Sequence, residues 1–278
     1  IADGWRPTGP AGNESGSKVY VGLRPVHPDL TAGHERISRG YAEAVLDEFG
    51  CCPCRILEID FDTGAHRTVY DDDHGGNHML PCPSDEDLLL FDRDLPPTFA
   101  YYGDNCVSPR GHLLRLSTGE LTPLRPQNRH QFQSHCNWNR DGTRIYYHGP
   151  AYEGHEQPVY AGGRIGEMFV GVSDLDGHSV FEMNLPEYYY GHVSTHTQAE
   201  AIVTDALVSE DLVCAIHYED LDAAGCPRIE VLARHDNDWG ALAGQARDPH
   251  CHMSPDGAVL SYNRAARGRS DVFIVNLK

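Results

Sequence analysis

Four histidines, His78, His135, His192 and His250, stand at steps of 57, 57 and 58 residues, and His252 follows two positions after the last. An imidazole with its ordinary pKa of about 6.5 can ligate a divalent cation or take a proton near neutral pH. One such residue recurring at one phase of a repeat is what an array needs to bring side chains remote in sequence to a common axis. His250-Cys251-His252 reads as an H-x-H on a strand, where the two-residue period puts both rings on one face. With His192 from the preceding repeat, that makes three nitrogen ligands for Mn, Zn or a similar ion with open positions. Gln245 would add an amide oxygen and favour Mn. His78 shares the phase and is expected at the substrate, in support of the ligands, or in a structural role.

The elements that must position these rings are short strands. Asn139-Arg140-Asp141-Gly142 and Ser254-Pro255-Asp256-Gly257 each separate an anchor histidine from a β-rich run. Asp-Gly and Pro-Asp-Gly between apolar runs signal hairpins, because glycine tolerates positive φ and proline presets φ before it. Aligned on Leu89, Ile145, Ile202 and Val259, the period is 56, 57 and 57 residues. Further runs such as Ile56 to Ile59, Leu113 to Leu116, Met168 to Val172 and Val272 to Val275 bring each repeat to about four strands. That pattern predicts an all-β chain, a β-propeller of four-stranded blades, with the strand before each turn innermost and the histidines at one mouth. A length of 278 residues supplies about five blades in a single domain, residues 1–278. One segment breaks the pattern. Ile37, Tyr41, Ala44, Val45 and Leu46 lie at helical spacing and predict an inserted helix near 33–48, either packed on the edge of the propeller or close to its cleft.

A net charge of -19 argues against nucleic acid as a partner, because a polyanion needs a basic surface. No apolar run reaches membrane-spanning length and no signal-peptide core stands at Ile1 to Trp5, so a membrane partner is not expected. The start at Ile1 reads as a processed or shortened chain. Nine cysteines, scattered and odd in number, favour reduced thiols in a cytoplasm. Cys51, Cys52 and Cys54 resemble half of a zinc knuckle, but a second pair at matching spacing is lacking.

Several of these segments together resemble the oligogalacturonate lyases. They are Cys54 to Asp60 with Thr63-Gly64, Gly76-Asn77-His78, Ser134-His135 before Asp141-Gly142, Gly191-His192 with Val203-Thr204-Asp205, and Asp236 to Trp239 leading to Pro249 through Gly257. The resemblance runs from about Ser17 to the end of the chain. It implies a metal-dependent propeller enzyme, usually loaded with manganese, that cleaves short uronic-acid chains of pectin by β-elimination. It implies His192, His250 and His252 as metal ligands, His135 as the group that abstracts the proton, and Arg110 as the substrate-binding arginine beside it. The family's metal-binding glutamine falls at Arg247 here, and Gln245 fits that role with an insertion. The family has seven blades, so the resemblance also implies that two N-terminal blades are missing.

Such a reaction removes the proton at C5, α to a carboxylate, so cations on that carboxylate would stabilise the developing enolate-like charge. Arg247 and Arg264, like Arg164, either contact further carboxylates of the sugar or pair with acidic residues. Tyr190, the last of three consecutive tyrosines, either stacks on a sugar ring or packs within a blade. The competing reading is a non-catalytic, TolB-like propeller that binds protein; it requires neither a metal nor imidazoles at one mouth. A propeller hydrolase would need a Gly-x-Ser-x-Gly elbow, which the chain lacks. The identity of the uronide and the oligomeric state stay open.

Overall fold

The computed structural model describes residues 4–26, 53–73, 76–93, 109–125, 133–151, 167–186, 191–207, 211–238, 240, 242 and 248–277. Among these residues twenty strands form five antiparallel sheets, with no helix. The helix expected near 33–48 lies outside the described residues, as do Gln245, Arg247, Tyr190, Arg164, Cys51 and Cys52. No described helix is long and apolar enough to cross a membrane.

The backbone divides into two compact units. The first unit, Ile1–Gln133 with Leu175–His178, holds two sheets. Its opening sheet contains β1 (Trp5–Pro7), β2 (Ala11–Gly12), β3 (Lys18–Pro25), β4 (Cys54–Asp60) and β5 (His66–Asp72). Here β1 and β2 are two pieces of one strand position, since β1 pairs with Leu23 to Pro25 and β2 with Val19 and Tyr20 on the same strand. Pro7 and Pro10 explain the break, because proline cannot donate to the ladder. The next sheet is β6 (Gly76–Pro81), β7 (Leu88–Arg93), β8 (Gly111–Arg115) and β9 (Glu120–Pro123), in that order.

The second unit, Ser134–Asp174 with Ser179–Lys278, holds three more sheets. They run β10 (Cys136–Trp138), β11 (Ile145–Ala151), β12 (Glu167–Ser173), β13 (Ser179–Pro186), then β14 (Val193–Thr195), β15 (Ile202–Leu207), β16 (Leu212–Leu221), β17 (Pro227–Arg234). The last is β18 (His252–Met253), β19 (Val259–Ala266) and β20 (Arg269–Asn276), three strands among the described residues. Strand order follows chain order throughout, as in propeller blades. The first strands of consecutive sheets lie side by side: β10 against β14, and β14 against β18. That alignment carries the residue just ahead of each first strand to one shared end.

The turns repeat as expected. Asn139 Oδ1 accepts the backbone N–H of Thr143 and of Arg144, both at 2.9 Å, while Asn13 Oδ1 does the same for Lys18 at 2.9 Å. Ser254 Oγ takes that place for Val259, also at 2.9 Å. Gly142 at φ 72° and Gly257 at φ 64° supply the left-handed step these turns need.

Apolar seams between sheets hold each unit together. In the first unit Tyr20, Cys54, Ile56, Met79, Leu89, Phe91 and Leu114 form one buried cluster, which absorbs Cys54 as a core residue. In the second, Tyr146, Val170, Val172, Ile202 and Ile216 fill one seam, and Val203, Val213, Cys251 and Leu260 fill the next. Each large buried side chain contributes roughly 1.5–3 kcal/mol, against about 0–1 kcal/mol for an exposed pair. Ion pairs such as Arg228–Asp220 are therefore minor beside the seams.

One tight packing point is Gly171, opposite Tyr147 on the neighbouring strand. A Cβ at 171 would collide with the fully buried Tyr147 ring, whose hydroxyl donates to Glu182 at 2.9 Å. Gly171→Ala is expected to destabilise the protein by about 1–3 kcal/mol, read as a lowered urea midpoint with unchanged slope.

Candidate metal centre and proton-transfer site

Each anchor histidine faces a residue 13 or 14 positions later on the second strand of its own sheet. His78 Nδ1 lies 2.8 Å from Asp92 Oδ2. His135 Nδ1 lies 3.1 Å from His148 Nε2, and His192 Nδ1 lies 3.4 Å from Asp205 Oδ2. The fourth contact runs through backbone, with the Asn263 N–H donating to the Pro249 carbonyl at 2.6 Å. The hairpin sets this spacing: the turn returns the second strand to the mouth opposite the histidine. Asp92, His148 and Asp205 were not singled out from the sequence, although the recurrence at 13 or 14 residues was there to be found.

Within the second unit the rings adjoin. Centroids are 4.9 Å apart for His135 and His192 and 3.9 Å apart for His192 and His250, so three consecutive sheets each contribute one imidazole. Asp248, which is buried, joins them: one ligand atom each from His192, Asp248 and His250 lies within 4.8 Å of the others. Two imidazoles and a carboxylate at that separation suit a divalent first-row ion with room for further oxygen ligands.

The electrostatics call for positive charge here. Burial alone would raise the carboxyl pKa of Asp205, yet the adjacent His192 ring and the hydrogen bonds from His192 hold it at about 2. Burial alone would lower the His192 pKa, and the Asp205 and Asp248 carboxylates more than reverse it. A cation shared by the ligand set would meet the same demand, with Asp205 orienting His192 through Nδ1 and its backbone N–H, which donates to Asp205 Oδ1 at 2.6 Å. Asp205→Asn is expected to weaken manganese binding about 10–100-fold in calorimetric titration, because the amide orients the ring without the charge.

The backbone corrects the expected strand. His250 has φ 48°, in the left-handed region, and β18 begins only at His252. The alternation argument for one shared face therefore does not apply to this H-x-H. His250 turns its Nδ1 back to the Asp248 carbonyl at 2.9 Å, which fixes both residues of the turn. His252 stands outside the compact ligand group and is exposed overall. Partial desolvation and the neighbouring His250 and His192 rings hold its pKa below the usual value, in the neutral form that could ligate. Cys251 between them packs into the apolar seam and keeps its proton, since burial raises the thiol pKa.

His135 is half-buried, with Ser134 Oγ 3.3 Å from its Nδ1 and the His148 ring stacked at 5.2 Å. In the first unit, Arg110 Nη2 lies 3.3 Å from the same Asp92 oxygen that meets His78, so two basic side chains share one buried carboxylate. Arg264 donates from Nε to the Asp236 carbonyl at 3.1 Å and rests 5.7 Å from the centre of the Phe273 ring.

No protein-family model matches the chain, and no curated protein matches it. Solved structures do. An oligogalacturonate lyase in complex with manganese aligns over 100% of this chain and 67% of its own, with a TM-score of 0.72 at 16% identity. An oligogalacturonate lyase from Vibrio parahaemolyticus aligns over 99% and 67%, with a TM-score of 0.70 at 15% identity. The β-propeller domain of the Trilobed protease from Pyrococcus furiosus aligns over 99% and 69%, with a TM-score of 0.54 at 12% identity. The chain has a β-propeller fold. Its likeness to the two lyase structures spans its whole length, which agrees with the resemblance carried by the sequence segments.

Proposed function

We propose that this propeller is an oligogalacturonate lyase-like enzyme that cleaves short uronic-acid oligosaccharides by metal-assisted β-elimination, leaving a 4,5-unsaturated uronide. The observation that carries this reading is His135 lying against the ring of His192, beside the His192, Asp248 and His250 group. A proton acceptor thereby adjoins a cation site, the pairing that abstraction next to a carboxylate requires.

The donor set on this chain fits a divalent ion, with His192, Asp248 and His250 as holders and His252 within reach of the same region. A bound ion, most plausibly Mn2+ by the resemblance, would supply charge stabilisation at the substrate carboxylate, the electrostatic contribution that commonly dominates such rate enhancements. Asp205 holds the His192 ring, and the Asp248–His250 turn holds the opposite side. His135 accepts the C5 proton; the electron pair released forms the C4–C5 double bond, and the glycosidic oxygen leaves C4 with the bonding pair. Nδ1 of His135 is engaged by His148 and Ser134, which assigns proton transfer to Nε2. Arg110 retains the substrate-binding role that the resemblance gives it, and His78 is assigned a substrate contact with it. A cytoplasmic enzyme acting on pectin fragments suits this chemistry.

The test is direct. Purified protein supplied with manganese and short oligogalacturonates is expected to raise the ultraviolet absorbance of an unsaturated uronide. If elemental analysis finds no divalent metal and no uronide gives that absorbance, the protein-binding module becomes the better reading.

A further inference from the structure

We propose that His148 is a positioning residue for His135: its Nε2 accepts the Nδ1 proton of His135 and so presents Nε2 of His135 as the base. The role of His135 rests on the lyase reading, while the control by His148 rests on the geometry of the pair. The two rings are inclined by 22°, and the nitrogens stand 3.1 Å apart. Two imidazole nitrogens at that distance share one proton, so one ring donates and the other accepts.

The pair is held from both backbones. The N–H of His148 donates to the His135 carbonyl at 3.2 Å, and the Ser134 N–H donates to the His148 carbonyl at 2.7 Å. His148 is fully buried on β11, so its ring cannot swing to solvent without breaking the sheet edge around it. At the equivalent place in two other repeats stand Asp92 and Asp205, each placing a carboxylate oxygen at the Nδ1 of its histidine. The repeat therefore reserves this position for an acceptor, and His148 fills it.

The choice of imidazole over carboxylate has a chemical reason. Beside His192 a carboxylate favours the imidazolium, which has no lone pair left to accept a proton. A base needs the opposite, namely a fixed tautomer without added negative charge. An imidazole acceptor supplies that. When Nε2 takes a proton, the Nδ1–H bond to His148 becomes charge-assisted and strengthens, so the partner also favours the protonated product of the step.

The test reads the tautomer itself, in the full chain carrying 15N-histidine and no added metal, by long-range proton–nitrogen NMR. His135 is identified by the signal lost in His135→Gln. The expected pattern is a protonated Nδ1 and an unprotonated Nε2 at His135, changing tautomer in His148→Phe and persisting in His148→Gln, whose amide oxygen can accept. A native His135 protonated at Nε2 overturns the proposal without any variant, as does an unchanged pattern in a folded His148→Phe. In the elimination assay His148→Phe is expected to lower kcat about 10–100-fold with KM within about twofold, and His148→Gln to restore most of the loss. If the tautomer is as expected and no uronide is cleaved, the lyase reading fails while the pair stands.

Discussion

Replacing His135 with alanine is expected to abolish the ultraviolet signal of elimination, a loss of about 10²–10⁴-fold in turnover, the usual contribution of a positioned acid–base group. The side chain is half-buried at the end of β10 and lies outside the apolar seams, so the variant should melt close to the unsubstituted protein. Two contacts would be lost, the hydrogen bond to His148 and the ring contact with His192. Neither is part of a seam. The space vacated by the ring also allows a check for a purely structural effect: free imidazole added to His135→Ala should restore part of the signal if the missing group is the base. A variant that turns over at the native rate removes His135 from the mechanism.

The second large effect concerns the cation. His250→Asn should empty the site, because asparagine tolerates the left-handed backbone at φ 48° while losing the ring that adjoins His192. A ligand at a hundred times its dissociation constant stabilises the folded state by about 2.7 kcal/mol. The native protein should therefore melt higher with manganese than with chelator, and His250→Asn should melt alike in both. Asp248→Asn is expected to diminish the shift strongly, since it removes the one buried carboxylate of the compact group. His252→Ala separates the two ligand sets. A shift preserved in that variant favours the set with Asp248, and a shift lost returns His252 to the set implied by the resemblance.

How much of this was legible depends on the range of the forces involved. The repeat, the turns and the strand content follow from local chemistry: glycine at positive φ, proline ahead of it, and β-branched runs behind. Asn139 and Ser254 show the same capping contacts because the local sequence dictates them. The convergence of His135, His192 and His250 was readable from their shared phase, because side-by-side first strands turn equal phase into shared position. The break between β1 and β2 was also present in the text, at Pro7 and Pro10.

The partners of those histidines were harder to find. Asp92, His148 and Asp205 stand opposite their anchors only because each hairpin has a particular register, and register depends on pairing across the whole sheet. The left-handed backbone at His250 was invisible for a related reason. A non-glycine residue adopts it only where surroundings over-determine it, here through the Asp248 carbonyl and the contact from Asn263 to Pro249. That conformation moves Asp248 into the ligand group and leaves His252 at the start of the strand.

The sequence by itself determined the all-β repeat, the phase of its histidines and the apolar runs that become seams, because these depend on bonding geometry and solvation within a few residues. Only the tertiary structure decided which atoms meet at the mouth: the carboxylate that joins His192 and His250, the buried imidazole that faces His135, and the aspartate behind His192. Those meetings depend on register and on one strained backbone turn, and both are set by packing over distances that no local pattern encodes.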